Sequence, residues 1–381
     1  MKKHAISALI TCTLLAATVY GQNNGDTNAP VATVGLKDAF AGKFLIGTAG
    51  DVPRGYSELE LANIKANYNI ITPENSMKPQ PTHPAENTFN WATPDAMVQW
   101  CESNHIKVWG HTLAWHSQTA NWFFQGTNGE PVTRELAMDR LKNHICTEVG
   151  RYKGRVYGWD VVNEAINDKG GGQTENLRNS SWIKAIGPDY ITMAFKWAHE
   201  ADPQALLFYN DYNIDSDTNL DRGSAEYTGK HTSSMLLLKR LLKDGAPING
   251  VGIQGHWHLY TSIPDVEKAI MDYQSLGLKV GISELDVTAT GVNSGAFPGG
   301  GGGGAPISDE AFQQQAQVYA KLFEVFNRHA DAMSRVTFWG ISDRRSWRSG
   351  QRPLVFDAQL KPKPAYFSII EAAQGKFVPA K

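Results

Sequence analysis

Cysteine is scarce in this sequence, no apolar run is long enough to cross a membrane, and basic charge is not in excess. Three cysteines in 381 residues cannot build a disulfide framework. Cys101 and Cys146 both fall in helical stretches and read as unpaired small core residues rather than as a bridge. Cys12 follows Thr11 instead of a small Gly, Ala or Ser, which disfavours lipid attachment there. The one sizeable apolar run, Ala5 to Val19, falls short of the about 20 residues a bilayer requires. With Lys2 and Lys3 before it and Gly21 after it, the run reads as a signal peptide over 1–21, followed by a polar leader over 22–34. Export to a periplasm or the medium is therefore expected, with no membrane attachment after cleavage. The formal net charge of −2 becomes −4 once Lys2 and Lys3 are removed, which offers no basic field to a nucleic acid. Also missing are a Gly-x-Gly-x-x-Gly after the first strand and a His-Glu-x-x-His helix, so neither a dinucleotide fold nor a zinc hydrolase is expected. No cofactor or metal is expected.

What the chain does contain is aromatic surface and a repeating pattern. Eleven tryptophans and thirteen tyrosines supply flat apolar rings with polar edges, which suit the faces of sugars or simply fill a large core. Short apolar, β-rich runs recur at Phe44–Gly47, Tyr68–Ile71, Lys107–Gly110, Val156–Val162, Leu206–Tyr209, Val251–Ile253, Val280–Ile282 and Val336–Trp339. Amphipathic helical segments alternate with them, at Glu58–Ala66, Pro94–Asn104, Arg134–Val149, Asp189–Glu200, Ser234–Lys243, Pro264–Ser275, Asp309–His329 and Ala365–Ala373. Eight strand and helix pairs predict an α/β fold, a single-domain (β/α)8 TIM barrel over 35–376 with its active site at the C-terminal ends of the strands. An open doubly wound sheet is the alternative. The glycine run Gly299–Gly304, inside a loop spanning 295–306, reads as a connection above that face rather than as an interdomain linker.

Polar side chains collect where the strands stop. TPENSMK carries Glu74, Asn75 and Lys78, and GHTLAWH carries His111, Trp115 and His116. WDVVNEA ends a buried run in Asn163 and Glu164; Asn210 and Asp211 follow the fifth run. Gln254, His256 and His258 follow the sixth, Glu284 and Asp286 the seventh, and Trp339 with Trp347 the eighth. Any one of these has a structural explanation, but the same class of side chain on strand after strand points to one working face.

Glu164 and Glu284 lie three strands apart around an eight-membered ring, so their carboxyls are expected to face each other across its mouth. A separation of about 5 to 5.5 Å would suit glycosidic cleavage with retention of configuration. The ionised Glu284 would raise the pKa of Glu164, which then donates a proton; esterification of Glu284 would remove that charge and release Glu164 as a base. Unrelated salt bridges are the competing explanation. Asp286 shares a strand face with Glu284, and with His256 it would form an Asp–His–Glu chain holding the nucleophile ionised and oriented.

With TPENSMK, GHTLAWH, WDVVNEA, GIQGHWH, ISELDV, FWGISD and PLVFDAQLKPKPAY in hand, the chain from Gly35 onward resembles the glycoside hydrolase family 10 endo-β-1,4-xylanases. The resemblance implies a retaining enzyme that binds xylan and xylo-oligosaccharides and cuts internal β-1,4 bonds, with Glu164 as acid/base and Glu284 as nucleophile. It implies Asn163 on the 2-hydroxyl of the sugar at the cleavage point. Lys78, His111, Gln254 and His256 would line that subsite, and Trp115 and Trp339 would bound it. Glu74, Asn75 and Trp347 would hold the next sugar, while His116 and Asp286 support the carboxylates. Another β-1,4-glycanase, cellulase-like, and a catalytically dead sugar-binding barrel are the alternatives. Arg344, Arg345 and Arg348 read as a solvated basic loop rather than as a reader of acidic side groups. A monomer is expected.

Overall fold

The computed structural model describes residues 34–126, 130–169, 174–218, 227–290 and 307–378. The expected signal peptide, all of the polar leader but Val34, and the glycine run lie outside these residues.

Parallel strands form the inner wall: β1 (Leu45–Ala49), β2 (Ile70–Thr72), β3 (Lys107–Trp115), β4 (Gly158–Asn163), β5 (Leu206–Asp211), β6 (Gly250–Ile253), β7 (His256–His258), β8 (Lys279–Thr288) and β9 (Met333–Phe338). Their order is β6-β5-β4-β3-β2-β1-β9-β8-β7, and β6 also pairs with β8, so the sheet closes. β7 is the sixth strand resumed past Gly255, where φ is +77°, and it pairs with the far half of β8. Closure excludes the open sheet and makes this a (β/α)8 barrel.

The outer layer comprises α1 (Leu36–Ala39), α2 (Glu58–Asn67), α3 (Pro79–Thr82), α4 (Ala92–Ser103), α5 (Arg134–Arg151), α6 (Ser181–Ala185), α7 (Tyr190–Ala201), α8 (Lys230–Lys243), α9 (Ile263–Ser275), α10 (Asp309–Arg328) and α11 (Pro364–Ala373). Local signals start them: Ser57 and Glu60 form a reciprocal capping box on α2, and Thr133 and Ser308 cap α5 and α10. Ala316, Tyr319, Ala320, Phe323 and Phe326 of α10 form an apolar stripe at helical spacing that is buried against the sheet side of the core. Cys101 and Cys146 are free thiols.

Glycine sets the spacing on the wall between β3 and β4. A Cβ at Gly110 would lie 2.1 Å from the ring of Trp159, and one at Gly158 would lie 2.5 Å from the ring of Trp109. Each indole thus lies across the neighbouring strand where no side chain opposes it.

Two strands outrun their apolar cores. β3 continues to Trp115 and β8 to Thr288, although the runs expected there stop at Gly110 and Ile282. The polar residues that follow do not end the strands; they are still strand residues turned into the barrel mouth. Ladder irregularities between His111 and Ala114, and between Ile282 and Leu285, fall in these stretches, and such bulges re-aim side chains. Glu284 is therefore held within a strand rather than at its last residue.

Candidate active site

A cleft of about 460 Å³ opens at the C-terminal ends of the strands, and Glu164 and Glu284 both line it. Glu164 is the first residue beyond β4 and adopts φ +55°, a left-handed conformation that a non-glycine residue holds only where its surroundings over-determine it. Here its N–H donates to the Asn210 carbonyl at 2.8 Å and its own carbonyl accepts from Arg178 Nε at 3.1 Å. The next two amides are tied as well, Ala165 N–H to the Tyr209 hydroxyl at 3.1 Å and Ile166 N–H to Asp211 Oδ2 at 3.3 Å. The carboxylate of Glu164 accepts from Trp115 Nε1 (2.8 Å), His116 Nε2 (3.0 Å) and Gln254 Nε2 (2.9 Å). Burial pushes its pKa up, but the hydrogen bonds from His116, Gln254 and Trp115 outweigh burial and hold it below the usual carboxylate range. This corrects the expectation of a raised value: in the open cleft the donors in direct contact decide the direction.

Glu284 is supported from two directions. Asn210 Nδ2 donates to Oε1 at 2.9 Å, and Asn210 is oriented in turn by Ser283 Oγ, 2.6 Å from its carbonyl oxygen. His256 Nε2 lies 3.2 Å from Oε2, while His256 Nδ1 lies 3.0 Å from Asp286 Oδ2. Asp286 also accepts from Trp347 Nε1 at 2.9 Å and from Arg348 Nη1 at 3.1 Å. Burial opposes a charge on His256, but Asp286 and Glu284 outweigh it and raise its pKa to about 9. Burial likewise opposes the Asp286 anion, yet Arg348 and His256 bring its pKa below the ordinary value.

The remaining expected residues fall around these two carboxyls. Asn163 sits in register with Trp115 and Asn210, and its amide oxygen lies 2.9 Å from Asn210 Nδ2, so two amides link the Glu164 side to the Glu284 side. Lys78 is buried, with Nζ 3.2 Å from Asn75 Oδ1, 3.0 Å from Gln118 Oε1 and 4.9 Å from the Trp115 ring centroid. Burial lowers its pKa despite Glu284 and Glu74. Glu74, His111, Gln254, Trp339 and Trp347 line the cleft; Asn75 lies behind Lys78, His116 reaches it through its direct contact with Glu164, and Asp286 reaches it through His256.

Several residues of the cleft escape sequence reasoning. Tyr212 and Asn213 line it from the loop after β5, and Asp160 and Arg335 lie beneath it. The signal for Asp160 was a charge inside the apolar run WDVVN. The arginines after β9 are not a free basic loop throughout: Arg345 donates to Glu60 at 2.7 and 3.0 Å, and Arg348 is engaged by Asp286.

The profile of glycosyl hydrolase family 10 matches residues 35–372, which is nearly all of the described chain. The chain belongs to glycosyl hydrolase family 10. Among curated family 10 relatives, endo-1,4-beta-xylanase A of Caldicellulosiruptor sp. (strain Rt8B.4) is 36% identical over 380 residues, 96% of this chain and 51% of the relative. The chain thus spans about half the length of that protein. Endo-1,4-beta-xylanase B of Paenibacillus barcinonensis is 37% identical over 350 residues, 88% of this chain and 97% of that one. Among solved family 10 structures, a mutant of TsXylA from Thermoanaerobacterium saccharolyticum in complex with xylotetraose superposes with a TM-score of 0.79 at 34% identity, covering 89% of this chain and 98% of that one. TsXylA is described as an intracellular xylanase. That finding overturns the expected export: likeness within the family gives no ground for placing this protein outside the cell.

Proposed function

We propose that this family 10 barrel is an endo-β-1,4-xylanase that hydrolyses internal bonds of xylan and xylo-oligosaccharides with retention of configuration. The observation that carries it is one cleft lined by two glutamates, one under a cation that is itself fixed by a buried carboxylate, the other under donors that include a partly exposed histidine. Glu284 is the nucleophile: its ionised carboxylate attacks the anomeric carbon while Glu164 gives its proton to the departing glycosidic oxygen. In the second step Glu164 takes a proton from water, whose oxygen attacks the same carbon and releases Glu284.

The proton on Glu164 is the demanding part, because the open cleft favours its anion. Entry of a sugar chain drives water out and brings the Glu284 charge into play across a lower dielectric, both of which favour the protonated acid. Proton uptake therefore accompanies substrate binding. Having given its proton to the departing oxygen, Glu164 is left as a carboxylate, and with the Glu284 charge gone in the ester the donors keep it in the ionised form that the second step needs.

Asn163 is assigned to the sugar's 2-hydroxyl, and Lys78, His111, Gln254 and His256 to the rest of the same ring. Glu74, Asn75 and Trp347 take the next sugar. Trp339 and Trp347 form a wall that admits xylose and clashes with the hydroxymethyl group of glucose. A monomer is the proposed catalytic unit, since Glu164 and Glu284 line one cleft of a single chain. The test is a proton-NMR time course on linear xylo-oligosaccharides, with cellulose and mannan oligosaccharides alongside. Internal cleavage of the xylan series with β-anomer formed first is expected; α-anomer formed first, or preference for glucan, refutes the proposal.

A further inference from the structure

The cleft holds two histidines whose Nδ1 faces a buried aspartate, and each aspartate also takes an indole N–H and a guanidinium. His256, Asp286, Trp347 and Arg348 form one such set, which ends on Glu284. The other starts inside the barrel. Asp160 on β4 is the register partner of His111 on β3, and its Oδ2 lies 3.0 Å from His111 Nδ1. Its Oδ1 accepts from Trp109 Nε1 at 2.9 Å and from Arg335 Nη2 at 3.1 Å. This second set ends on no protein group: His111 lines the cleft, and among the described residues its Nε2 has no hydrogen-bond partner.

Arg335 is costly to keep. It is 1% exposed, its guanidinium lies 3.4 Å from the Trp109 ring centroid, and its Nε and Nη1 have no partner among the described residues. Gly281, opposite it on β8, is what leaves it room, since a Cβ there would lie 2.8 Å from Nη1. A buried cation with unanswered N–H groups loses more hydration than one ion pair returns, so stability does not explain it. What Arg335 does is balance the charge of Asp160.

We propose that Arg335 is a positioning residue: by neutralising Asp160 it keeps one proton on His111, at Nδ1, and presents Nε2 to the sugar as a bare acceptor. This rests on the cleft being a sugar site. The charged groups that line the cleft with His111 are Glu74, Lys78, Glu164, His256, Glu284 and Arg348, while Asp160 from β4 and Arg335 from β9 lie behind its Nδ1. Removing the guanidinium leaves the Asp160 carboxylate behind Nδ1 without its cation, and the imidazole takes a second proton to replace it. Nε2 then becomes a donor and can no longer accept from a hydroxyl.

The test uses Arg335→Met, Arg335→Lys and the charge-free pair Arg335→Met with Asp160→Asn, each in the full chain. Nitrogen-15 NMR of the His111 ring near neutral pH is expected to show one protonated nitrogen in the parent and two in R335M. R335M should lose about tenfold in kcat on xylotetraose, the scale of one net hydrogen bond made in the transition state, with KM nearly unchanged. R335K should keep the parent pattern, and the charge-free pair should return to a single ring proton even where R335M alone folds poorly. An R335M ring spectrum identical to the parent overturns the proposal whether or not activity falls, and so does a charge-free pair that carries two ring protons. The ring measurement needs no substrate, so its outcome stands apart from the fate of the xylanase reading.

Discussion

Replacing His116 with phenylalanine removes a donor, and a positive charge when the ring is protonated, from Glu164 while keeping a ring of similar size. The contact is 3.0 Å, between side chains 28% and 12% exposed. Unscreened within the protein, two unit charges at that distance would give about 5.5 kcal/mol at an effective dielectric of about 20. The exposure of His116 reduces this toward the about 1.5–3 kcal/mol of a charge-assisted hydrogen bond. At about 1.4 kcal/mol per pKa unit, Glu164 should rise by about one to two units, with Trp115 and Gln254 still holding it down. The acid step requires the protonated form, so kcat/KM is retained below the Glu164 pKa and lost above it. The falling limb of the kcat/KM profile in H116F should therefore move to higher pH by about that amount. Linkage gives a second reading of the same contact. A folded-state pKa below the unfolded value contributes stability that is present above the unfolded pKa and lost as pH falls through the folded one. H116F should melt below the parent at neutral pH and close the gap in acid. A limb that stays in place, or moves to lower pH, refutes the assignment of Glu164 as the acid held down by His116.

Glu284→Gln should abolish turnover of xylotetraose while calorimetry still detects binding; turnover near the parent rate removes Glu284 as nucleophile. His256, with a folded pKa raised to about 9 against about 6.5 unfolded, contributes on the order of 3 kcal/mol that is complete below about pH 6.5 and disappears as pH rises through 9. The melting temperature should fall across that interval in the parent, and His256→Asn should flatten the fall; equal slopes would count against a charged His256. Gly110→Ala places a Cβ 2.1 Å from the Trp159 ring and should cost about 1–3 kcal/mol or more in urea unfolding, whereas a neutral result would mean that β3 and β4 separate easily.

The barrel was legible because its strands are buried on both faces and read as plain apolar runs between amphipathic helices. WDVVNEA and ISELDV gave both glutamates because each carboxylate follows an apolar run at the end of the barrel where polar side chains from the other strands collect, whereas Asp160, in the first of these motifs, lies inside the barrel on its own buried partners. The lengths of β3 and β8 were not legible, because His111, Glu284 and Asp286 interrupt hydrophobicity without interrupting the strand. Nor were Arg335, Tyr212 and the partners of Arg348, each of which depends on a contact across the ring rather than along the chain. The electrostatics of Glu164 were inferred with the wrong sign because the sequence displays charges, while the decisive donors include the neutral side chains of Trp115 and Gln254.

The two glutamates differ in how their partners meet water, and the difference follows the work proposed for each. A nucleophile must be an anion at the start of every cycle, so its surroundings should not titrate with the bulk. The cation at Glu284 is His256, 10% exposed and pinned by an Asp286 that is fully buried; exchanging its proton means opening the bond to Asp286 or to Glu284. An acid/base must change its proton twice per turnover, which a sealed ion pair would resist. The histidine at Glu164 is His116, 28% exposed and free of any buried carboxylate behind it among the described hydrogen bonds. A buried carboxylate behind His116, as Asp286 stands behind His256, would fix Glu164 as a second permanent anion, and the barrel would hold a sugar between two carboxylates without a proton to cleave it.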